Sequence, residues 1–229
     1  MNILNESLKE PAKEFFIDVS ELALDGLLKK ISDNTELLKD IPGIKWLFIG
    51  KEAYSVFQSA HFIKKWSNFI GQINAEKIGL PTQKELIKNL SKQDSERIIE
   101  NTVLYLDRYQ NGIKAKLLGE LFHQTFSLNI FTPDEYNSLM FSVELLHPFT
   151  GIKCLKEFYE YRQSMEKETD KNKRGDIWSR GAQLDYSALS TSGLLRLPTG
   201  ASTMGNLGGA YINDIGVKFY EKVVLNCIN

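Results

Sequence analysis

Asn101–Tyr161 reads NTVLYLDRYQ NGIKAKLLGE LFHQTFSLNI FTPDEYNSLM FSVELLHPFT GIKCLKEFYE Y, and this stretch decides the fold. Ile113, Leu117 and Leu121 form one apolar stripe in it, and Tyr136, Met140 and Val143 form another. Both keep the three-and-four spacing of helices that bury one side. Between them, Thr132-Pro133-Asp134-Glu135 is a start signal. It supplies a hydroxyl N-cap, a proline at the first helical position and a glutamate at N3 to close a capping box. Asn111-Gly112 reads as a left-handed helix stop, so the pattern predicts a helix from about Gln93 to Tyr109 and tandem helices near 113–127, 132–147 and 150–166.

Toward the N-terminus, Phe16, Val19, Leu22, Ala23 and Leu27 predict an amphipathic helix over 13–31, with Gly26 inside it. Ile41-Pro42-Gly43 breaks the chain before an apolar run, Ile44 to Ile49, and a long helical pattern from Lys51 to Ile73. On that pattern Ala53, Val56, Phe57, Ala60, Ile63, Ser67 and Ile70 share a face, while Phe62, Trp66 and Phe69 make a second stripe. A helix apolar on two sides needs two covers: the core and something else, be it this chain, a partner or a lipid surface. Gly79-Leu80-Pro81-Thr82 turns the chain into a short helix ending near Leu90.

Toward the C-terminus the composition changes at Glu166. Residues 167–176 are mostly charged and read as a solvated linker. Beyond it come a helix from Trp178 to Ser192, a strand over 194–197, a glycine-rich loop, a return strand over 209–212 and a final helix from Asn213 to about Leu225. The expected fold is therefore mainly α: a helical bundle over 1–166 and a small winged-helix-like α+β piece over 177–229 containing one β-hairpin.

Composition excludes several classes. The 229 residues are 42% hydrophobic and 25% charged, enough for a sizeable core, and a net charge of -1 gives no global pull toward nucleic acid or anionic lipid. Met1 to Glu6 has no basic start before an apolar run, and no uncharged run approaches the roughly 20 residues that span a bilayer, so a cytoplasmic location is expected. Cys154 and Cys227 lack metal-type spacing and read as reduced thiols.

The sharpest chemical candidate is a pair of Glu-x-x-His motifs, Glu120-Leu121-Phe122-His123 and Glu144-Leu145-Leu146-His147, half of a ferritin-like di-metal set. If the chain turns back near Ile130, the second motif falls about seven residues past the position facing the first, roughly 10 Å along the axis. One metal cannot bridge that. Glu120 and His123 align with Lys116 and Ser127 as a solvated stripe, and His147 stands at a helix end where it can meet the last carbonyls. The loop from Pro198 to Gly209 lacks the Gly-Lys-Ser/Thr ending of a phosphate loop and leads into a strand. His61, His123 and His147 sit in helical contexts with no serine or cysteine on a strained turn. No catalytic residue, metal or cofactor is assigned.

Two candidate binding surfaces remain. Trp46, Phe48, Phe62, Lys64, Lys65, Trp66 and Phe69 combine tryptophan with flanking lysines, which suits contact with a protein partner, self-association, or an interfacial membrane helix over 41–73 attached peripherally at the inner membrane. Arg174, Arg180 and Arg196 are the candidate nucleic-acid contacts of the tail, but the wing loop holds no lysine or arginine. The linker also stands about a dozen residues ahead of the would-be recognition helix, too many for a helix-turn-helix turn.

Leu38-Lys39-Asp40-Ile41-Pro42, Phe62-Ile63-Lys64-Lys65-Trp66-Ser67-Asn68-Phe69, Leu104 to Arg108 with Lys114 to Phe122, and Ile215-Gly216-Val217-Lys218-Phe219 occur in that order. In these blocks the chain resembles a set of uncharacterised bacterial helical proteins. Trp46, Phe48 and Tyr54 stand where that pattern has smaller residues. The resemblance implies a helical accessory protein with a role in anti-phage defence or stress. Taken with the residues, it leads to the expectation of a non-enzymatic protein that binds another macromolecule; the alternatives are a membrane-surface effector and a winged-helix DNA-binding regulator.

Overall fold

The computed structural model describes residues 53–74, 92–198 and 209–228, with a few single positions between 14 and 34. It is mainly helical, with one small two-stranded antiparallel sheet among the described residues. The elements are α1 (Ala53–Asn74), α2 (Lys92–Arg108), α3 (Gly112–Phe126), α4 (Pro133–Leu145), α5 (Thr150–Lys167) and α6 (Lys171–Gly181). A 3-10 turn at Ser187–Leu189, β1 (Leu195–Arg196) and β2 (Tyr211–Ile212) follow. Then α7 (Asp214–Phe219) continues through a π turn, Tyr220–Val224, into α8 (Leu225–Ile228). Contacts divide the chain into two compact units, 1–140 and 141–229.

The capping box forms as the sequence requires. The Thr132 N–H donates to Glu135 Oε2 at 2.8 Å and the Glu135 N–H to Thr132 Oγ1 at 3.1 Å, so two of the groups that the start of α4 leaves without intrahelical partners are satisfied. The reversal before it hangs on Asn129, whose φ of 53° is left-handed, with the Leu128 N–H returning to the His123 carbonyl. Asparagine tolerates that conformation better than most residues.

Asn111-Gly112 is not a stop. Asn111 is extended and its side chain accepts from the Ile113 N–H at 2.8 Å, which makes it the N-cap of α3. The same dipeptide serves either end of a helix, and here α2 has already ended at Arg108.

The core of the first unit is aromatic. Phe62, Trp66 and Phe69 of α1 stack in series at 6.2 and 5.4 Å, and Phe69 meets Phe122 of α3 edge-on at 5.7 Å. Phe122 and Phe126 in turn meet Tyr136 of α4 at 5.8 and 5.1 Å. Leu117, Leu121 and Tyr136 are fully enclosed, as the two stripes predict. The Tyr136 hydroxyl lies 2.8 Å from Thr102 Oγ1, and Thr102 already donates to the Ile98 carbonyl, so Tyr136 is the donor. Burial raises the Tyr136 pKa, keeping that proton in place.

The second unit differs from the expected layout. The charged segment is no linker: Asp170 accepts from the Asn172 and Lys173 N–H groups and starts α6, which ends at Gly181 rather than continuing to Ser192. A helix with few apolar side chains can be solvated and still be a helix once capped. α5 packs on α6, the 3-10 turn, β2 and the π turn, so it belongs with the tail and not with the bundle expected over 1–166. The strands pair Leu195 with Ile212 and Arg196 with Tyr211. Asn213 then caps α7, accepting from the Gly216 N–H at 2.8 Å. Gly193 adopts a φ of 74° and offers its carbonyl to the Asn213 amide.

The predicted features at 41–49 and 79–90 and the hairpin loop at 199–208 lie outside the described residues. Of the predicted helix over 13–31, Asp18 and Lys30 form an ion pair at 2.6 Å. The rest of that predicted helix lies outside the described residues.

Candidate functional site

Three of the seven residues proposed for partner or membrane contact are interior. Phe62, Trp66 and Phe69 are at most 2% exposed, which corrects the reading of their stripe as a docking face. The second cover that a doubly apolar helix needs is this chain's own α3. It comes close because position 119 carries no side chain: a Cβ on Gly119 would lie 2.5 Å from the Phe69 carbonyl oxygen. Trp46 and Phe48 lie outside the described residues. Lys64 and Lys65 are half-buried and line a cavity of about 350 Å³ with His61, Asn68 and residues of the α2–α3 junction.

Glu120 and His123 are not a solvated stripe either. Each is only 5% exposed. Glu120 accepts from the Gln72 amide at 2.8 Å and the Gln124 amide at 2.7 Å, so a buried carboxylate is held by amide donors from α1 and α3. Among the described residues, His123 Nδ1 has no hydrogen-bond partner. Burial lowers the His123 pKa from its ordinary 6.5, with Glu120 pulling the other way. The folded state therefore binds this proton less readily than the unfolded chain. Stability from neutral His123 is complete above the ordinary histidine value and is lost as pH falls through it. Urea unfolding of the wild type against His123→Gln, from neutral pH to about pH 5, should show a steeper loss in the wild type; parallel profiles would contradict this.

Among the described residues, no group of three or more His, Cys, Asp or Glu side chains could hold a metal ion. His147 caps forward rather than back: its Nδ1 accepts from the Phe149 and Thr150 N–H groups at 3.3 and 3.2 Å, at the start of α5. Neither cysteine is in a disulfide. Burial and the nearby Glu157 and Asp185 carboxylates push the Cys154 thiol up to about 11, so it is an inert packing group.

The second unit carries an open groove of about 420 Å³ lined by Tyr161, Arg162, Met165, Glu166, Arg174, Trp178, Gly209 and Tyr211. Trp178 is 40% exposed and Tyr211 41%, unusual for side chains of that size. Arg162 braces the floor, binding Glu166 at 2.7 Å and Asp214 at 2.8 Å, with its guanidinium 6.0 Å from the centre of the Tyr211 ring. The Tyr161 ring sits on Gly181, where a Cβ would collide with it, so α5 and α6 meet closely beside the groove.

Of the candidate nucleic-acid contacts, Arg174 lines this groove, Arg180 lines a separate hollow with Glu157 and Glu160, and Arg196 stands exposed on β1. Two carboxylates beside Arg180 are a poor setting for phosphate. Trp178 and Tyr211 were not singled out by the sequence as contact residues. The signal was there: with Asp170 taken as an N-cap, Arg174 and Trp178 fall four apart on one exposed helix face.

No helix among the described residues is long and apolar enough to cross a membrane. Comparison of the chain with protein-family models, with curated proteins and with solved structures finds no match.

Proposed function

We propose that this chain is a non-enzymatic binding protein that holds a segment of another protein in the Trp178–Tyr211 groove. The observation that carries the reading is a concave patch of exposed tryptophan and tyrosine with Met165 and arginine, the residue types enriched at interface cores. Arg162 is already neutralised by Glu166 and Asp214, whereas among the described residues no carboxylate pairs with Arg174. The fitting partner segment therefore offers an apolar anchor beside an acidic residue. An accessory role in bacterial defence or stress would suit such a module and rests on the family resemblance.

The winged-helix likeness rests on the tail's order of helix, sheet and helix, and DNA binding through Arg174, Arg180 and Arg196 would follow from it. It is the weaker reading, because α6 ends before the stretch that would enter a groove and the arginines lie in separate settings. The membrane reading loses Phe62, Trp66 and Phe69 to the core.

A photoreactive phenylalanine at Met165, used in the source cells, should crosslink one discrete protein. Trp178→Ala and Arg174→Glu should each remove the adduct while leaving the fold intact, since both side chains are exposed. Equal adduct yields from wild type and variants would sink the reading.

A further inference from the structure

The groove of the second unit also specifies the conformation of the segment it holds, an inference that rests on the binding reading above. Both helical walls of the groove are ruled at the period of a helix. On α6, Arg174 and Trp178 stand one turn apart, which places their Cβ atoms about 5–6 Å from each other. On α5, Tyr161 and Met165 repeat that interval, as do Arg162 and Glu166. The two helices pack on each other, and the seat of Tyr161 on Gly181 brings them close beside the groove.

Pairing settles the charge of the lining. Arg162 is held by Glu166 at 2.7 Å and by Asp214 at 2.8 Å, so its charge is spent within the fold. Arg174 is the cation that remains, since among the described residues no carboxylate pairs with it. One guanidinium fork matches one carboxylate through two parallel hydrogen bonds, whereas a phosphate dianion calls for more positive charge than this lining supplies. Tyr161 and Tyr211 add hydroxyls to the same lining. Burial and the neighbouring Tyr211 raise the Tyr161 pKa, so that hydroxyl keeps its proton and remains a donor.

We infer that the groove binds an acidic amphipathic helix of a partner protein, with an apolar side chain against Trp178, Met165 and Tyr211 and a carboxylate on Arg174 one turn away. The recess of about 420 Å³ takes the side chains, while a helix roughly 10 Å across lies over it. An extended segment fits less well. Its neighbouring residues point to opposite sides, and positions on one side recur only every 6.5–7 Å or so. Strand addition is also obstructed at β2, because the Ile212 carbonyl already accepts from Arg162 Nη1 at 3.3 Å. A cationic ligand is opposed by Arg174 and by the Arg162 guanidinium, 6.0 Å from the centre of the Tyr211 ring.

The test is selection of a randomised peptide library on the full chain, followed by titration of the selected peptides. Peptides that depend on Trp178 should carry an acidic residue three or four positions from a leucine, methionine or aromatic residue, and should gain helical circular dichroism on binding. Replacing the peptide's acidic residue by glutamine should weaken binding by about tenfold, and so should Arg174→Gln in the protein. The two changes together should cost no more than either alone, because they delete the same contact. Circular dichroism melts of Trp178→Ala, Tyr211→Ala and Arg174→Gln separate a lost site from a lost fold. Selected peptides that need Trp178 and Tyr211 but lack the acidic residue, or bind in an extended form, would overturn this inference and leave the groove reading standing. Failure to select any peptide, or peptides indifferent to both Trp178→Ala and Tyr211→Ala, would remove both. Self-association seen by light scattering and abolished by Trp178→Ala would make the occupant a second copy of this chain and overturn the inference as well.

Discussion

Trp66→Ala should destabilise the first unit by about 3–5 kcal/mol, the range for deleting a large aromatic side chain from a packed core. Trp66 is 1% exposed and bridges Phe62 and Phe69, so its loss opens a cavity in the middle of a ring series and not at its end. The ladder continues through Phe122 to Tyr136, and the gap cannot be closed without shifting α1 against α3. Equilibrium urea unfolding followed by far-UV circular dichroism measures the loss. A change below about 1 kcal/mol would mean that the indole is a surface group after all.

Gly119→Ala is the second large effect, and its sign is the informative part. In an ordinary helix interior the replacement stabilises by about 1 kcal/mol. Here the new methyl would meet the Phe69 carbonyl oxygen at 2.5 Å and the Gln72 Cβ at 3.0 Å. A backbone oxygen cannot rotate aside, so α1 must move away as a unit. Overpacking of this kind costs about 1–3 kcal/mol. The same displacement draws the Gln72 amide off Glu120, and a buried carboxylate deprived of a donor adds a further cost of about 1–3 kcal/mol. The net expectation is destabilisation by roughly 1–5 kcal/mol from these opposing terms. A variant more stable than the wild type in the same urea assay would show that the helices do not meet at Gly119.

Where a structural decision is local, the sequence states it. Thr132 and Glu135 contain the whole reciprocal cap, and both bonds form. Asn111-Gly112 is equally local but serves two opposite roles, and only the end of α2 three residues earlier selects one. The period of Phe62, Trp66 and Phe69 was legible while its destination was not. What covers that stripe depends on a glycine some fifty positions away, and spacing cannot announce which helix will lie there. Glu120 and His123 were misplaced for the same reason: a polar side chain reads as solvated until Gln72 of another helix supplies its donor. Residues 167–176 misled in a different way. Charge density argues for water contact, and α6 has it, but Asp170 turns those residues into a helix that presents Arg174 and Trp178 together. The tail groove was hidden by that one missed cap.

Hydroxyl-radical footprinting of the protein alone and with its crosslinked partner tests the account most directly. Trp178, Tyr211 and Met165 should be oxidised in the isolated protein and protected in the complex, while Phe62, Trp66 and Phe69 stay unreactive in both. Protection that spares Trp178 and Tyr211, or oxidation of Trp66 in the folded protein by itself, would contradict it.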